Sequence, residues 1–254
     1  MSFKKKNVSI QSDCYPAICV PITGTTKEEI ISEARECTEL DKKVTLIEWR
    51  LDMFKDWKDI KAVSDISKEI HDLTGEDRLL ILTLRTTEEG GEAKISGEAY
   101  RDYLYGVAEN SSFDLLDVQY FCLTKPETET VEELHRKNAH IIASHHDFTE
   151  TPAEEVMENH LVTMKEGGAD IVKLAVMPKS KADVLSLLTV TRRVCDLFPE
   201  TPVITMSMGE LGKPSRYLNE LSGSAVTFAA NKKASAPGQL RVDELIHILD
   251  VSEG

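Results

Sequence analysis

The chain predicts an α/β protein of the closed (β/α)8 TIM-barrel class, and three observations carry that expectation. Short apolar runs alternate with amphipathic stretches about eight times with brief connections, which is the pattern of parallel strands joined by helical crossovers. The 254 residues match the roughly 250 typical of such barrels. An open doubly wound sheet would show a Gly-rich phosphate turn after its first strand, and none follows here. No linker rich in Pro, Gly or Ser divides the chain, so residues 1–254 are read as one barrel domain.

The elements follow in order. Ala17-Ile18-Cys19-Val20-Pro21 reads as a strand stopped by proline, and Thr26-Lys27-Glu28-Glu29 as a capping box opening a helix with Ile30, Ile31, Ala34 and Cys37 on one face. Val44 to Asp52 is the second strand. Ile60 to Leu73 is an amphipathic helix ended by Gly75. Leu79 to Arg85 is the third strand and Ser96 to Ser111 its helix; Phe113 to Gln119 is the fourth, and Thr130-Val131-Glu132-Glu133 a second capping box. Ala139 to His145 is the fifth strand, followed by a helix with Pro152 at its first position. Ala169 to Pro178 is the sixth, followed by a helix from Ser180 to Phe198. Pro202 to Met206 and Ala225 to Ala229 complete the ring, with helices at Ser215 to Leu221 and Val242 to Val251. The opening Met1-Ser2-Phe3-Lys4-Lys5-Lys6 reads as a tail, and Asn231 to Gln239 as a lid.

Charge and cysteines narrow the function. A net charge of -14 and a pI near 5 speak against nucleic acid or an anionic membrane as partner. An anionic substrate must then find a local cationic pocket. Cys14, Cys19, Cys37, Cys122 and Cys195 are odd in number, scattered and without a CxxC pair, as expected of thiols in the cytoplasm. No stretch approaches the ~18 apolar residues of a membrane span.

Alternation along the strands sorts their side chains into two faces. Leu46, Glu48, Arg50 and Asp52 share one; Ile81, Thr83 and Arg85, then Asp117 and Gln119, then Ile142, Ser144 and His146, then Ile171, Lys173 and Ala175 share theirs. Polar residues thus concentrate on the barrel axis toward the C-terminal ends of the strands, where barrel enzymes hold their sites. Lys173 lies in an apolar, largely β-branched run that reads as buried on both faces. Burying an unpaired ammonium is costly, so such a lysine tends to shed its proton and become a nucleophile for imine formation. The structural alternatives stay open: a lysine that snorkels or pairs with a carboxylate, an ion-pair ladder of Glu48, Arg50 and Asp52, and a histidine that only caps a strand. Neighbouring side chains in a strand point apart, so His145-His146-Asp147 lacks the spacing of a zinc site and no metal is expected. Together a strand-borne lysine, a histidine on the next strand and several arginines point to cofactor-free imine chemistry on a carboxylate-bearing keto compound. A class I aldolase is the rival enzyme, although Gly223-Ser224 makes a poor phosphate turn; a dead barrel kept as a binding module would lack the lysine or the histidine.

The motifs Glu48-Trp49-Arg50-Leu51-Asp52, Leu84 to Gly91, Ser144 to Phe148, Ala169 to Pro178, Met206 to Arg216 and Phe228 to Gln239 resemble, in this order, the type I 3-dehydroquinase family. The resemblance implies a (β/α)8 barrel, homodimeric, without cofactor, that dehydrates 3-dehydroquinate to 3-dehydroshikimate. It implies that Lys173 forms the imine, that His146 moves the protons and that Glu89 orients His146. Arg216 is similar to the family's anchor for the substrate carboxylate; Glu48, Arg50 and Arg85 resemble its hydroxyl-gripping residues, with Arg50 or Arg85 expected to keep the lysine neutral. Ser235 and Gln239 resemble its lid residues, and Met206 and Phe228 its apolar walls. Gln119 stands where relatives carry a carboxylate, and Val20-Pro21-Ile22-Thr23 where a serine is common.

Overall fold

The structure, a computed structural model, describes residues 3–12, 14–231 and 236–252. Two short antiparallel strands come first, β1 (Phe3–Lys5) and β2 (Val8–Ile10). The repeating part follows as β3 (Ala17–Ile22), α1 (Lys27–Thr38), β4 (Val44–Arg50), α2 (Ile60–Thr74), β5 (Leu79–Thr83), α3 (Gly97–Asn110), β6 (Leu115–Gln119) and α4 (Glu127–Arg136). It continues as β7 (Ile141–Asp147), α5 (Glu154–Glu166), β8 (Ile171–Val176), α6 (Lys181–Leu197) and β9 (Val203–Ser207). The short helices α7 (Gly209–Gly212) and α8 (Asn219–Ser222), the strands β10 (Val226–Ala230) and β11 (Leu240–Arg241) and α9 (Val242–Ser252) end it.

One parallel sheet runs in the order β11-β10-β3-β4-β5-β6-β7-β8-β9. Its ends meet where the Ala225 amide donates to the Val203 carbonyl at 2.8 Å and the Thr205 amide to the Ser224 hydroxyl at 3.0 Å. The curl separates two apolar layers. Ile47, Trp49, Leu82, Val118 and Leu174 pack outward under the helices, whereas Leu46, Ile81, Leu115, Ile142, Ile171 and Ile204 fill the ring. The period-2 alternation therefore places each strand's polar set on the axis.

Local chemistry sets the helix ends. The Thr26 hydroxyl accepts from the Glu29 amide and the Glu29 carboxylate from the Thr26 amide, the expected capping box. Asp59 caps α2 and Gly75, at φ +57°, closes it.

Several expectations are corrected. β3 runs through Pro21 to Ile22, because its pairing with β10 ends at Cys19 and only β4 remains beside it. α4 starts at Glu127, not at the Thr130 box; Pro126 takes the N-cap position, Glu127 and Glu129 lie in the first turn, and Thr130 is buried within the helix. α5 starts at Glu154, beyond Pro152, because the Met177 amide ties the Glu150 carbonyl to the end of β8. The helix expected over 215–221 is found as the end of a 3-10 turn at Lys213–Arg216 and the short α8, with α7 lying before both.

From Phe3 onward the opening segment is no tail. β1 and β2 close the N-terminal mouth of the ring, where Val8 and Ile10 join the inner layer. Lys6 Nζ reaches Asp114 Oδ2 at 2.8 Å and the Arg78 carbonyl at 3.2 Å.

Candidate active site

The C-terminal ends of the strands surround a cavity of about 140 Å3 lined by Glu48, Arg50, Arg85, Glu89, His146 and Lys173, with Met206, Phe228, Pro237 and Gln239 among its walls. A larger depression of about 530 Å3 lies at the opposite face, against Phe3, Asp170 and Phe198. We place the site in the smaller one, because convergent charged groups rather than volume mark where chemistry occurs.

Lys173 sits mid-strand in β8, 4% exposed, with its ammonium 4.6 Å from the centre of the Phe228 ring. Of the readings left open for this lysine, the one found is pairing with carboxylates: Nζ lies 3.2 Å from Asp117 Oδ2 and 3.6 Å from Glu48 Oε1. Asp117 and Glu48 project from β6 and β4 onto the axis, as the alternation requires. Thr83 donates to Glu48 at 2.9 Å. Asp117 also accepts from Arg85 Nη2 at 2.9 Å and from the Ser144 hydroxyl at 2.6 Å. Burial acts to raise the Asp117 carboxyl, but Arg85 and Lys173 overcome it and hold it well below the usual carboxylate range. Arg85 is pushed above its ordinary value although burial opposes this, because Asp117 and Glu89 face it.

Arg50 is clamped by Asp52, with Nε at 2.8 Å and Nη2 at 2.7 Å from its two oxygens. Glu89 belongs to a 3-10 turn, Thr87–Glu89, closed by Gly90 at φ +76°. A Cβ on the following Gly91 would stand 2.1 Å from the Arg85 carbonyl oxygen, so only glycine lets this turn fold back on the strand end.

His146, near the end of β7, donates Nδ1–H to Glu89 Oε2 at 2.9 Å. This fixes the tautomer and leaves the Nε2 lone pair available. Burial, with Arg85 nearby, lowers the imidazole to about 3, against the pull of Glu89, so the resting ring is neutral. Burial would raise Glu89, yet hydrogen bonds from His145 and His146 bring it down to about 2.

Arg216 is 2% exposed; Nη2 donates to the Pro237 carbonyl at 2.9 Å, while Nε and Nη1 are buried without a hydrogen-bond partner among the described residues. Burial pulls its guanidinium down to about 10. It is not among the described residues that line the cavity, and it touches that wall through its bond to Pro237. Ser235 lies outside the described residues. Gln119 is drawn away from the cavity, accepting from the Thr86 amide at 2.7 Å and donating to the Thr86 hydroxyl at 2.9 Å, which props the base of the Glu89 turn.

Asp117 and Ser144 complete the charge network, and Asp52 holds Arg50; the alternation had put all three on the axis face without giving them a part in the site. His145 enters the sequence reading only as a poor metal ligand beside His146, because neighbours in a strand diverge, yet its Nδ1 lies 3.0 Å from Glu89 Oε1. Glu89 reaches the strand from the turn above, where each of the two rings meets one oxygen.

Fold and site define a (β/α)8 barrel with a small-molecule pocket at the C-terminal ends of its strands. The sequence model described as type I 3-dehydroquinase matches residues 18–254. The 3-dehydroquinate dehydratase of Listeria monocytogenes serotype 4a (strain HCC23) is 42% identical over 246 residues, 97% of this chain and 96% of that protein. That of Clostridioides difficile (strain 630) is 40% identical over 250 residues, 97% and 95% of the two chains. Among solved structures, 3-dehydroquinate dehydratase from Geobacillus kaustophilus HTA426 superposes with a TM-score of 0.91 at 30% identity, covering 100% of this chain and 96% of that one. The type I enzyme from Clostridium difficile with covalent modified comenic acid gives 0.89 at 37% identity, covering 99% and 97%. The chain belongs to the type I 3-dehydroquinase family, and so to the hydro-lyases.

Proposed function

We propose that this single-domain barrel removes water from 3-dehydroquinate through a Lys173 imine, with His146 carrying the proton, in the shikimate pathway. One observation supports this reading above the rest: a buried strand lysine and an imidazole with a free Nε2 open onto the same small cavity.

The amine must shed a proton before it attacks, and Glu48, 3.6 Å away, is in position to accept it, while Asp117, held well below the carboxylate range, stays ionised beside it. Nitrogen adds to the C3 ketone and the oxygen leaves as water. The same carboxylates then face the cationic iminium. The iminium draws electrons from C2, so His146 Nε2 takes the C2 proton and an enamine forms. The electron pair returns to expel the C1 hydroxyl, which leaves as water with the proton His146 has taken. Hydrolysis then frees the conjugated enone and restores the lysine. Glu89 stabilises the imidazolium between the two transfers.

Arg216 suits the substrate carboxylate, since among the described residues two of its buried nitrogens have no hydrogen-bond partner and the third holds Pro237 at the cavity wall. The covalent modified comenic acid of the C. difficile structure accords with a nucleophilic residue in that relative. The odd, scattered cysteines and the lack, among the described residues, of a helix able to cross a membrane support the cytoplasm as its location. A homodimer is the assembly this reading carries, and light scattering on the eluted protein would read it.

Borohydride reduction in the presence of 3-dehydroquinate, followed by intact mass and peptide mapping, tests the chemistry. The expected result is one adduct on Lys173; an unmodified protein that still makes enone would remove the imine. His146→Ala should still trap substrate and turn over very slowly, and near-normal turnover would take His146 out of the mechanism.

A further inference from the structure

We infer that His145 is a positioning residue for this elimination: its Nδ1–H occupies one oxygen of Glu89 and thereby reserves the other for His146. The inference rests on His146 as the proton carrier. Glu89 divides its oxygens between the rings, Oε1 to His145 at 3.0 Å and Oε2 to His146 at 2.9 Å. Its other polar neighbours are Arg85 Nη1, 3.3 Å from Oε2, and the Cys122 thiol, 3.7 Å from Oε1, with Tyr100 and Glu88 further off.

His145 does not line the cavity, so it acts through Glu89. Phe121 and His160 hold its ring edgewise, with centroids at 5.3 Å and 5.0 Å and interplanar angles of 88° and 83°. Asp147 is the nearby acidic group on its own strand. The two edge contacts fix the plane of the ring, and Nδ1 is thereby aimed at the carboxylate. Opposite a carboxylate oxygen that nitrogen carries a hydrogen in either protonation state.

Without His145 as donor, Oε1 would keep only the thiol contact, a weak one. The Glu89 carboxylate would become free to turn and more basic. It would then hold the Nδ1 proton of His146 more tightly, which makes the ring more basic and the Nε2–H a weaker acid toward the departing hydroxyl. The loss should fall on kcat and leave substrate binding alone.

Two substitutions separate donation from packing. His145→Asn keeps an N–H near the Nδ1 position and loses the ring; His145→Phe keeps the ring against Phe121 and His160 and loses the donor. His145→Phe should lower kcat about tenfold, the kinetic equivalent of one charge-assisted hydrogen bond, and shift the acid limb of the kcat profile to higher pH. In that variant KM should stay within about twofold, and His145→Asn should stay within about threefold of the parent in kcat. Parent-like kcat in His145→Phe, equal losses in both variants, or an unmoved acid limb would overturn the inference. If His145→Phe does not fold, nitrogen-detected NMR of the parent decides: a protonated Nδ1 on His145 supports the assignment and a bare one overturns it. His146→Ala measured alongside keeps the two readings apart, because turnover in that variant sinks the proton carrier itself, whereas an inactive His146→Ala beside a parent-like His145→Phe sinks only the present inference.

Discussion

Asp117 is the residue on which the buried charges depend. It contacts Lys173, Arg85 and Ser144 at once, from a position that is 1% exposed. Buried cations that lose a carboxylate partner keep their desolvation cost without its compensation. Asp117→Asn, nearly isosteric, should therefore lower the unfolding free energy by about 3–5 kcal/mol. Urea unfolding measures this, and a change below about 1 kcal/mol would show that Glu48 and Glu89 suffice to hold the two cations. Alternation identified Asp117, Glu48 and Arg85 as axial residues. Their pairing was beyond it, because which strand ends face one another depends on the stagger of the ring. This is also why the choice left open for Lys173, between an unpaired amine and one paired with a carboxylate, was decided only by the two carboxylates that face it.

At the scale of elements, the β1–β2 hairpin shows a part that pattern reading missed. Three-residue strands carry too short a period to register, and three consecutive lysines read as solvated charge. Asp114 changes that, since its Oδ2 accepts from Lys6 at 2.8 Å and from the Leu80 amide at 2.9 Å. Asp114→Ala would leave an ammonium and an amide in a part-buried place without their acceptor, a loss of about 2–3 kcal/mol. Faster hydrogen exchange over residues 3–10 should accompany it, with kcat and KM unchanged because the hairpin closes the face opposite the site. Unaltered protection would mean that Val8 and Ile10 hold the hairpin by apolar burial alone. The helix ends teach a similar lesson. The Thr26 and Ser180 boxes form where the serine or threonine truly precedes the first turn, but Thr130 is one turn inside its helix, and spacing alone could not tell the two situations apart.

Across the whole molecule, the depressed values of His146 and Glu89 set how stability responds to acid. The folded state keeps His146 neutral down to about pH 3, whereas an unfolded histidine takes its proton near ~6.5. Between these values the unfolded chain binds more protons, so acid favours unfolding. Glu89 acts in the same direction lower down: its contribution is full above the ordinary carboxylate range and fades as pH falls toward about 2. Unfolding free energy should thus decline as pH drops from ~6.5, with each group contributing a slope of up to about 1.4 kcal/mol per pH unit within its own window. His146→Asn should flatten the upper part of that decline in urea titrations at successive pH values, and an unchanged slope would assign it to other groups. A net charge of -14 also sets the outer field against an anionic substrate, so under the proposed function any attraction would have to be local, from cations such as Arg50, Arg85 and Arg216.

By itself the sequence determined the alternation of elements, the apolar faces and the polar residues that point to the axis, because each depends on periods of 2 and 3.6 along a continuous chain. Its ordered motifs also carried the family. Tertiary structure alone decided which of those residues meet. The pairing of Lys173 with Asp117 and Glu48, the closure of the N-terminal mouth by Val8 and Ile10, and the sharing of Glu89 between His145 and His146 join segments far apart in the chain. Such contacts arise from strand stagger and loop folding, for which a one-dimensional pattern has no coordinate.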